Sequence, residues 1–335
     1  MQNAFRPAWW LPGRHSMTMW GKFVRRSQLQ GLLLRRFSAP DGDEITLATA
    51  NMPRPAPRLL ILHGLEGGMR SHYVGGLWAV AKARGWQPSL LLFRTCDGTL
   101  NRSRRTYHSG ETTDLRFVLQ HLVAELPEQP ICLAGISLGG NVLLKWLGEE
   151  GDRLPAQIRG AVAVSTPFDL ARASRAIGSG FARVYEWNFL RSLRRKAAGK
   201  LEQFPDVCDR GALDAVKSMW EFDDRFTAPL HGFADAADYY ERSSSIHFLD
   251  RIRRPTLLLS AHDDPFYTPD VLGDVERISA RNPNLTVEFH RRGGHVGFVT
   301  GAPWRPAYYV ESRVTGFLAG LLSADQVDRS GVVAV

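Results

Sequence analysis

Short runs made almost wholly of apolar residues punctuate this chain, separated by stretches whose apolar residues recur every three or four positions. The runs are Arg58 to Leu62, "PSLLLFRTC", "PICLAGI" and "QIRGAVAVSTP", then "RRPTLLLSAHDDP" and "LTVEFH" near the end. A strand that is apolar along its whole length is one covered on both faces. Helical spacing marks Tyr73 to Arg84, broken by Gly85. It returns in "ETTDLRFVLQHLVAEL", in "LGGNVLLKWLGEE" and in a C-terminal run around Ala307 to Leu322. Strands alternating with helices predict an α/β fold, a mostly parallel central sheet with helices on both faces.

The alternation lapses between residues 168 and 245, which carry no buried-strand signature and read as helical. An insertion at the carboxyl edge of a parallel sheet sits over the ligand crevice, so a helical lid is expected here. The expected organisation is an N-terminal segment, 1–40, packed on a core built from 41–167 and 246–322. The lid is 168–245 and the tail, 323–335, is flexible. From Arg172 to Lys200 the lid holds many Arg and Lys but a single acid, Glu186, together with Phe181, Tyr185, Trp187, Phe189 and Leu190. A basic amphipathic face of this kind suits an anionic lipid surface. The plainer reading is a solvated helix face with its aromatics in the core.

Composition narrows the setting. A hydrophobic share of 44% and a charged share of 23% over 335 residues describe a soluble globular chain with a substantial core. Cys96, Cys132 and Cys208 have no paired spacing, which argues against a disulfide framework or zinc knuckle and for a reducing compartment. No apolar run approaches the roughly 20 residues of a spanning helix. The N-terminus, broken by Pro7 and Pro12, lacks the continuous apolar core of a signal peptide. A cytoplasmic protein able to touch membrane surfaces is expected. The net charge of +8 would attract anionic lipid or nucleic acid. No basic-aromatic sheet motif or recognition helix supports the second, so nucleic acid is not an expected partner.

The candidate chemistry centres on "PICLAGISLGGNVLLKWL". Gly135-Ile136-Ser137-Leu138-Gly139 fits G-x-S-x-G in the required setting of strand, sharp turn and helix. Side chains two residues either side of such a serine would clash, and the following helix aims its N-terminus at the site. Alone, the pentapeptide is equally a glycine-lined turn without chemistry. A nucleophilic serine needs a base, an orienting acid and an oxyanion hole, with the chain order Ser, acid, His. Of the ten histidines, His247, His262, His290 and His295 lie in the last third. His295, in "RRGGHVGF", has flanking glycines that leave room for its ring, whereas His290 lies within a strand. "TLLLSAHDDPFYTP" supplies two acids. Asp264, nearer the loop, is preferred, and Asp263 is the alternative acid; the other of the pair would cap the turn. The oxyanion donors would be the backbone N–H groups of Leu138, after the serine, and Leu65, in "LHGLEGG". His63 would then hold that loop. "RTYHSGETTD" either lines the pocket or forms a loop and helix cap through Ser109 or Thr112; the capping reading is the more economical.

With these pieces in order, the chain resembles the α/β-hydrolases and, among them, the YheT-like branch, or AB hydrolase 4 family. The resemblance runs from about Phe5 to Leu322. It rests on "FRPAWWLPGRH", "HGLEGG", "FRTCDGTLNRSRRTYHSGETTDLR", "GISLGGN", "FTAPLHGFADAADYY", "SAHDDPF" and "GGHVGF". It implies a serine-dependent carboxylic ester hydrolase acting on small or lipid-like esters, with Ser137 as nucleophile, Asp264 as acid and His295 as base. "GRHSMTMW" departs from the leucine and glutamine usual in the family's element, so the resemblance assigns the N-terminal segment no role. No cofactor or metal is expected. His262, Asp263 and Asp264 would make a poor ligand set, because adjacent residues of an extended stretch point to alternate sides. The rival readings are another acyl-transfer enzyme of this fold, such as a thioesterase, peptidase or acyltransferase, and a non-catalytic binding protein.

Overall fold

The computed structural model describes residues 5–52 and 56–330. In chain order the elements are α1 (Arg14–Val24), β1 (Leu32–Ser38), β2 (Glu44–Ala50), β3 (Arg58–Leu62), α2 (His72–Ala83), β4 (Gln87–Leu92), α3 (Thr113–Glu125), β5 (Ile131–Ile136), α4 (Leu138–Glu150) and β6 (Ile158–Val164). A helical stretch follows: α5 (Leu170–Ile177), α6 (Arg183–Gln203), α7 (Arg210–Asp214), α8 (Met219–Phe222), a π-helical turn (Asp223–Thr227), α9 (Ala228–His231) and α10 (Ala236–Ser243). The chain closes with β7 (Thr256–Ala261), α11 (Pro269–Ser279), β8 (Leu285–His290), β9 (Val299–Ala302), β10 (Arg305–Tyr308) and α12 (Tyr309–Ser330).

The main sheet has eight strands in the order β1-β2-β4-β3-β5-β6-β7-β8. From β4 to β8 all pairings are parallel, and β1–β2 and β2–β4 are antiparallel. Every residue of β3, β5 and β7 is buried, as their unbroken apolar runs require of strands covered on both faces. One layer of core includes Leu60, Leu62, Leu133, Leu143 and Leu147. The layer on the other face includes Leu59, Ile61, Trp78, Leu257 and Leu318.

The β1–β2 hairpin lies outside the expected strand set. Its outer strand β1 does not read as buried because Leu32, Leu33 and Leu34 lie exposed at the sheet edge, whereas β2 is buried from Ile45 to Ala50 behind a run broken by threonines and alanines. The hairpin signal was Asp41-Gly42, with Gly42 at φ +79°. The expected boundary between 40 and 41 therefore divides a hairpin whose register runs from Leu32 opposite Ala50 to Ser38 opposite Glu44. At the other end, α12 continues past Leu322 to Ser330, where a flexible tail was expected; residues 331–335 lie outside the described residues.

The stretch between β6 and β7 carries no strand of the main sheet. Its helices share an apolar cluster of their own that includes Leu190, Leu193, Leu201, Leu213, Phe222 and Phe226, and Leu65 of the core packs against it. Of its aromatics, Tyr185 is buried while Phe181, just before α6, and Trp187 are exposed, so the reading that puts all the aromatics in the core does not hold. Among the described residues no helix is long and apolar enough to cross a membrane.

Candidate active site

Ser137 joins β5 to α4 at φ 55° and ψ −122°, a strained positive-φ backbone that costs a non-glycine residue about 1–3 kcal/mol. The turn survives because its neighbours are small and its ends are held. A Cβ on Gly135 would stand 2.5 Å from the Gly139 carbonyl oxygen, and one on Gly139 would strike the carbonyl oxygen of Leu62. Ser137 N–H donates to Val164 O at 2.8 Å, and Ser137 O accepts from Gly140 N–H at 2.8 Å. The hydroxyl is thereby lifted out of the sheet's carboxyl edge.

His295 Nε2 lies 2.9 Å from Ser137 Oγ, and His295 Nδ1 lies 2.8 Å from Asp264 Oδ2. Asp264 is 1% exposed, and its other oxygen accepts from Phe266 N–H at 2.8 Å. The two adjacent aspartates have diverged. Asp263 Oδ1 accepts from Gly293 N–H at 2.8 Å and Gly294 N–H at 2.9 Å, so it ties down the loop that carries His295. His262 is exposed, while Asp263 is turned to the glycine pair and Asp264 to His295. His247 is exposed, and half-buried His290 bonds Glu288 at 2.9 Å.

The loop after β3 approaches the serine closely: a Cβ on Gly64 would lie 3.1 Å from Ser137 Cβ. Leu65 and Leu138 both line a cavity of about 80 Å³ beside this contact, and among the described residues neither backbone N–H has a hydrogen-bond partner. His63 is fully buried. Its Nε2 accepts from Phe93 N–H at 3.2 Å, which leaves Nδ1 to donate to Gly64 O at 2.8 Å. Burial holds its pKa down at about 4, so it stays neutral.

Several residues of the site were not picked out in the sequence. Thr18 of α1 accepts from His295 N–H at 2.9 Å, and Gly294 has no Cβ because Arg14 O and Thr18 Oγ1 would each be 2.7 Å from it. The N-terminal segment, given no role above, thus braces the histidine loop; no spacing along the chain announces that contact. Ser165 Oγ accepts from Val296 N–H at 3.0 Å. Phe266 stacks on His295 with ring centroids 4.0 Å apart, and Tyr185 of α6 meets Phe266 at 5.2 Å. Burial and the nearby Asp264 charge push the Tyr185 hydroxyl up to about 12.

The "RTYHSGETTD" stretch divides between both readings. Tyr107, His108 and Ser109 line the cavity. Glu111, rather than Ser109 or Thr112, supplies the cap: its Oε1 accepts from Thr113 N–H at 2.7 Å, while Thr112 Oγ1 donates to Glu149 at 2.6 Å. Asp114 binds the buried Arg94 guanidinium at 2.7 and 2.9 Å, and Arg94 also reaches Asp41 and Asp43 at 2.8 Å each. From the helical insertion, Lys200 donates to the carbonyls of Asn101 at 2.5 Å and Ser103 at 2.6 Å; burial lowers its pKa to about 8.

A parallel sheet, a strained serine at its carboxyl edge and a serine–histidine–aspartate relay are the features of one fold class. The sequence model for the alpha/beta hydrolase fold matches residues 57–302, and the chain belongs to that family. Within it, the chain is 40% identical over 315 residues to YheT of Escherichia coli (strain K12), whose name assigns it provisionally to the esterases. That match covers 92% of this chain and 91% of YheT. The monoacylglycerol lipase of Saccharomyces cerevisiae is 32% identical over 288 residues, 83% of this chain but only 62% of the longer yeast protein. Among solved structures, the Pyrococcus furiosus esterase Pf2001 shares the fold with a TM-score of 0.55 at 17% identity, over 87% of this chain and 91% of that one.

Proposed function

We propose that this protein hydrolyses carboxylic esters through an acyl-enzyme on Ser137. The observation that carries the proposal is the unbroken relay from Ser137 Oγ through His295 to the buried Asp264, at 2.9 and 2.8 Å. His295 Nε2 takes the hydroxyl proton as Ser137 attacks the ester carbonyl. Asp264 holds Nδ1–H, fixing the tautomer, and stabilises the imidazolium. Charge builds on the carbonyl oxygen, and the N–H groups of Leu65 and Leu138 receive it. One such donor is worth about 10²–10³ in kcat. The imidazolium then protonates the departing alcohol. Water, deprotonated by the same ring, attacks the acyl carbonyl and releases the acid.

The helical insertion, residues 168–245, acts as the lid over this site, and its outer face favours lipid-like esters met at an anionic surface. Phe181, in the short turn that leads into α6, and Val184 and Trp187 in the helix's first turns are 57%, 49% and 62% exposed, flanked by exposed Arg183, Arg191 and Arg195. Apolar rings with cations beside them match an interfacial helix. The yeast relative's name as a monoacylglycerol lipase agrees with a lipid-like ester.

Replacing Ser137 by Ala tests the chemistry. Turnover of a short-chain p-nitrophenyl ester and labelling by a fluorophosphonate probe should both vanish while the thermal midpoint is retained. Hydrolysis surviving in the variant would refute the assignment.

A further inference from the structure

Glu66 stands one residue after Leu65, and the mechanism above leaves it without a task. It is nonetheless the most heavily bonded side chain of the loop. Its backbone takes a left-handed φ of 54°, and its N–H donates to the Tyr107 hydroxyl at 3.0 Å. Its carboxylate accepts from Tyr107 Oη at 2.7 Å, from Lys196 Nζ at 2.7 Å and from the Ser192 hydroxyl. Tyr107 is itself clamped, stacked on Phe93 at 5.6 Å and 3°, and Phe93 in turn packs on His63 at 4.6 Å.

Lys196 and Ser192 belong to α6, in the helical insertion, whereas Glu66 and Tyr107 belong to the core. The Glu66 carboxylate is only 9% exposed with α6 in place, so removing the Lys196 ammonium while the helix stays docked would strand a charge away from water. An unfavourable φ persists only where its surroundings over-determine it. Here the surroundings that hold Glu66, and with it the orientation of the preceding Leu65 peptide, are supplied in part by the insertion.

We propose that the contact of Glu66 with Lys196 and Ser192 is a latch through which the insertion sets the oxyanion loop. Glu66 is a positioning residue, and Ser137 reaches full reactivity only while α6 is docked on it. The inference rests on the reading of Leu65 N–H as an oxyanion donor. It turns the lid from a cover over the site into a part of it: a lid that opens also relaxes the donor, which restricts reaction to the closed state.

The test uses Glu66→Gln, Lys196→Met and the double variant of the full chain. It reads kcat and KM on a soluble short-chain ester, the fluorophosphonate labelling rate at Ser137, and the thermal midpoint. Each single variant leaves an unpaired polar group and should lower the midpoint. Each should also lower kcat and the labelling rate by roughly tenfold or more, part of the value of a full donor, with a smaller effect on KM. The double variant, with no stranded charge, should regain the midpoint while kcat and labelling stay low. Activity returning together with the midpoint would overturn the latch, since charge compensation alone would then explain the pair. Wild-type labelling rates in all three variants would overturn it as well. A wild-type protein that fails to label at all would instead overturn the hydrolase reading, and the latch with it.

Discussion

Acidification should unfold this protein partly through one ring, that of His63. In the folded state Nε2 accepts the Phe93 N–H, so a proton placed there would face another donor across 3.2 Å in a site closed to water. Burial accordingly lowers the pKa from 6.5 to about 4. The folded state prefers the neutral ring, so the contribution to stability is complete above pH 6.5 and is lost as pH falls toward and through about 4. At 1.36 kcal/mol per pH unit that window is worth roughly 3 kcal/mol. His63→Asn keeps a donor toward Gly64 O but leaves Phe93 N–H without its acceptor, a loss of about 1–3 kcal/mol at every pH. The variant should therefore be the less stable protein at pH 8, and the difference should shrink below pH 6.5 until at pH 4 it has vanished or reversed by up to about 2 kcal/mol. Urea unfolding of both proteins at half-unit intervals measures the difference directly. Acid-sensitive groups common to both, such as half-buried His72, His108 and His231, cancel in it. Two stability curves that stay parallel from pH 8 to pH 4 would refute the argument.

The paired aspartates give a second test. Asp264→Asn should cut kcat by about four orders of magnitude by spoiling the histidine tautomer, with folding intact. Asp263→Asn retains a carbonyl acceptor toward Gly293 and Gly294 and should cost less than about tenfold. A reversed ranking in steady-state kinetics would exchange their roles. For the exposed face at the start of α6 and the turn before it, Phe181→Ser combined with Trp187→Ser should abolish co-sedimentation with vesicles containing anionic phosphatidylglycerol. It should leave turnover of a soluble ester unchanged. Equal sedimentation of wild type and variant would remove the lipid surface from the account.

Much of this site is legible in the chain because its signals are local. A serine on a strand-to-helix turn needs glycine at 135 and 139, and backbone crowding enforces that within a few residues. The buried strands announce themselves by unbroken apolar runs, since both faces of a parallel sheet are covered. The β1–β2 hairpin escaped because its edge strand β1 faces water and β2, though buried, is built of threonines and alanines rather than a run of large apolar residues; only Asp41-Gly42 marked it. The cap of α3 was expected from a hydroxyl and is made by Glu111 instead, a choice among neighbouring acceptors that spacing does not rank.

What the sequence determined by itself is the order of the elements, the strained serine and the short set of groups able to serve it. Which of them meet was decided in three dimensions. Asp263 and Asp264 are the same carboxylate one residue apart, and the turn after β7, closed by Asp264 N–H on Ala261 O at 3.1 Å, sends one toward His295 and the other toward the glycines behind it. Thr18 reaches His295 across 277 residues, and Lys196 reaches Glu66 across 130. Local sequence constrains backbone shape through sterics that act over a few bonds. Hydrogen bonds and ion pairs act through space, and only the folded chain brings their partners within range.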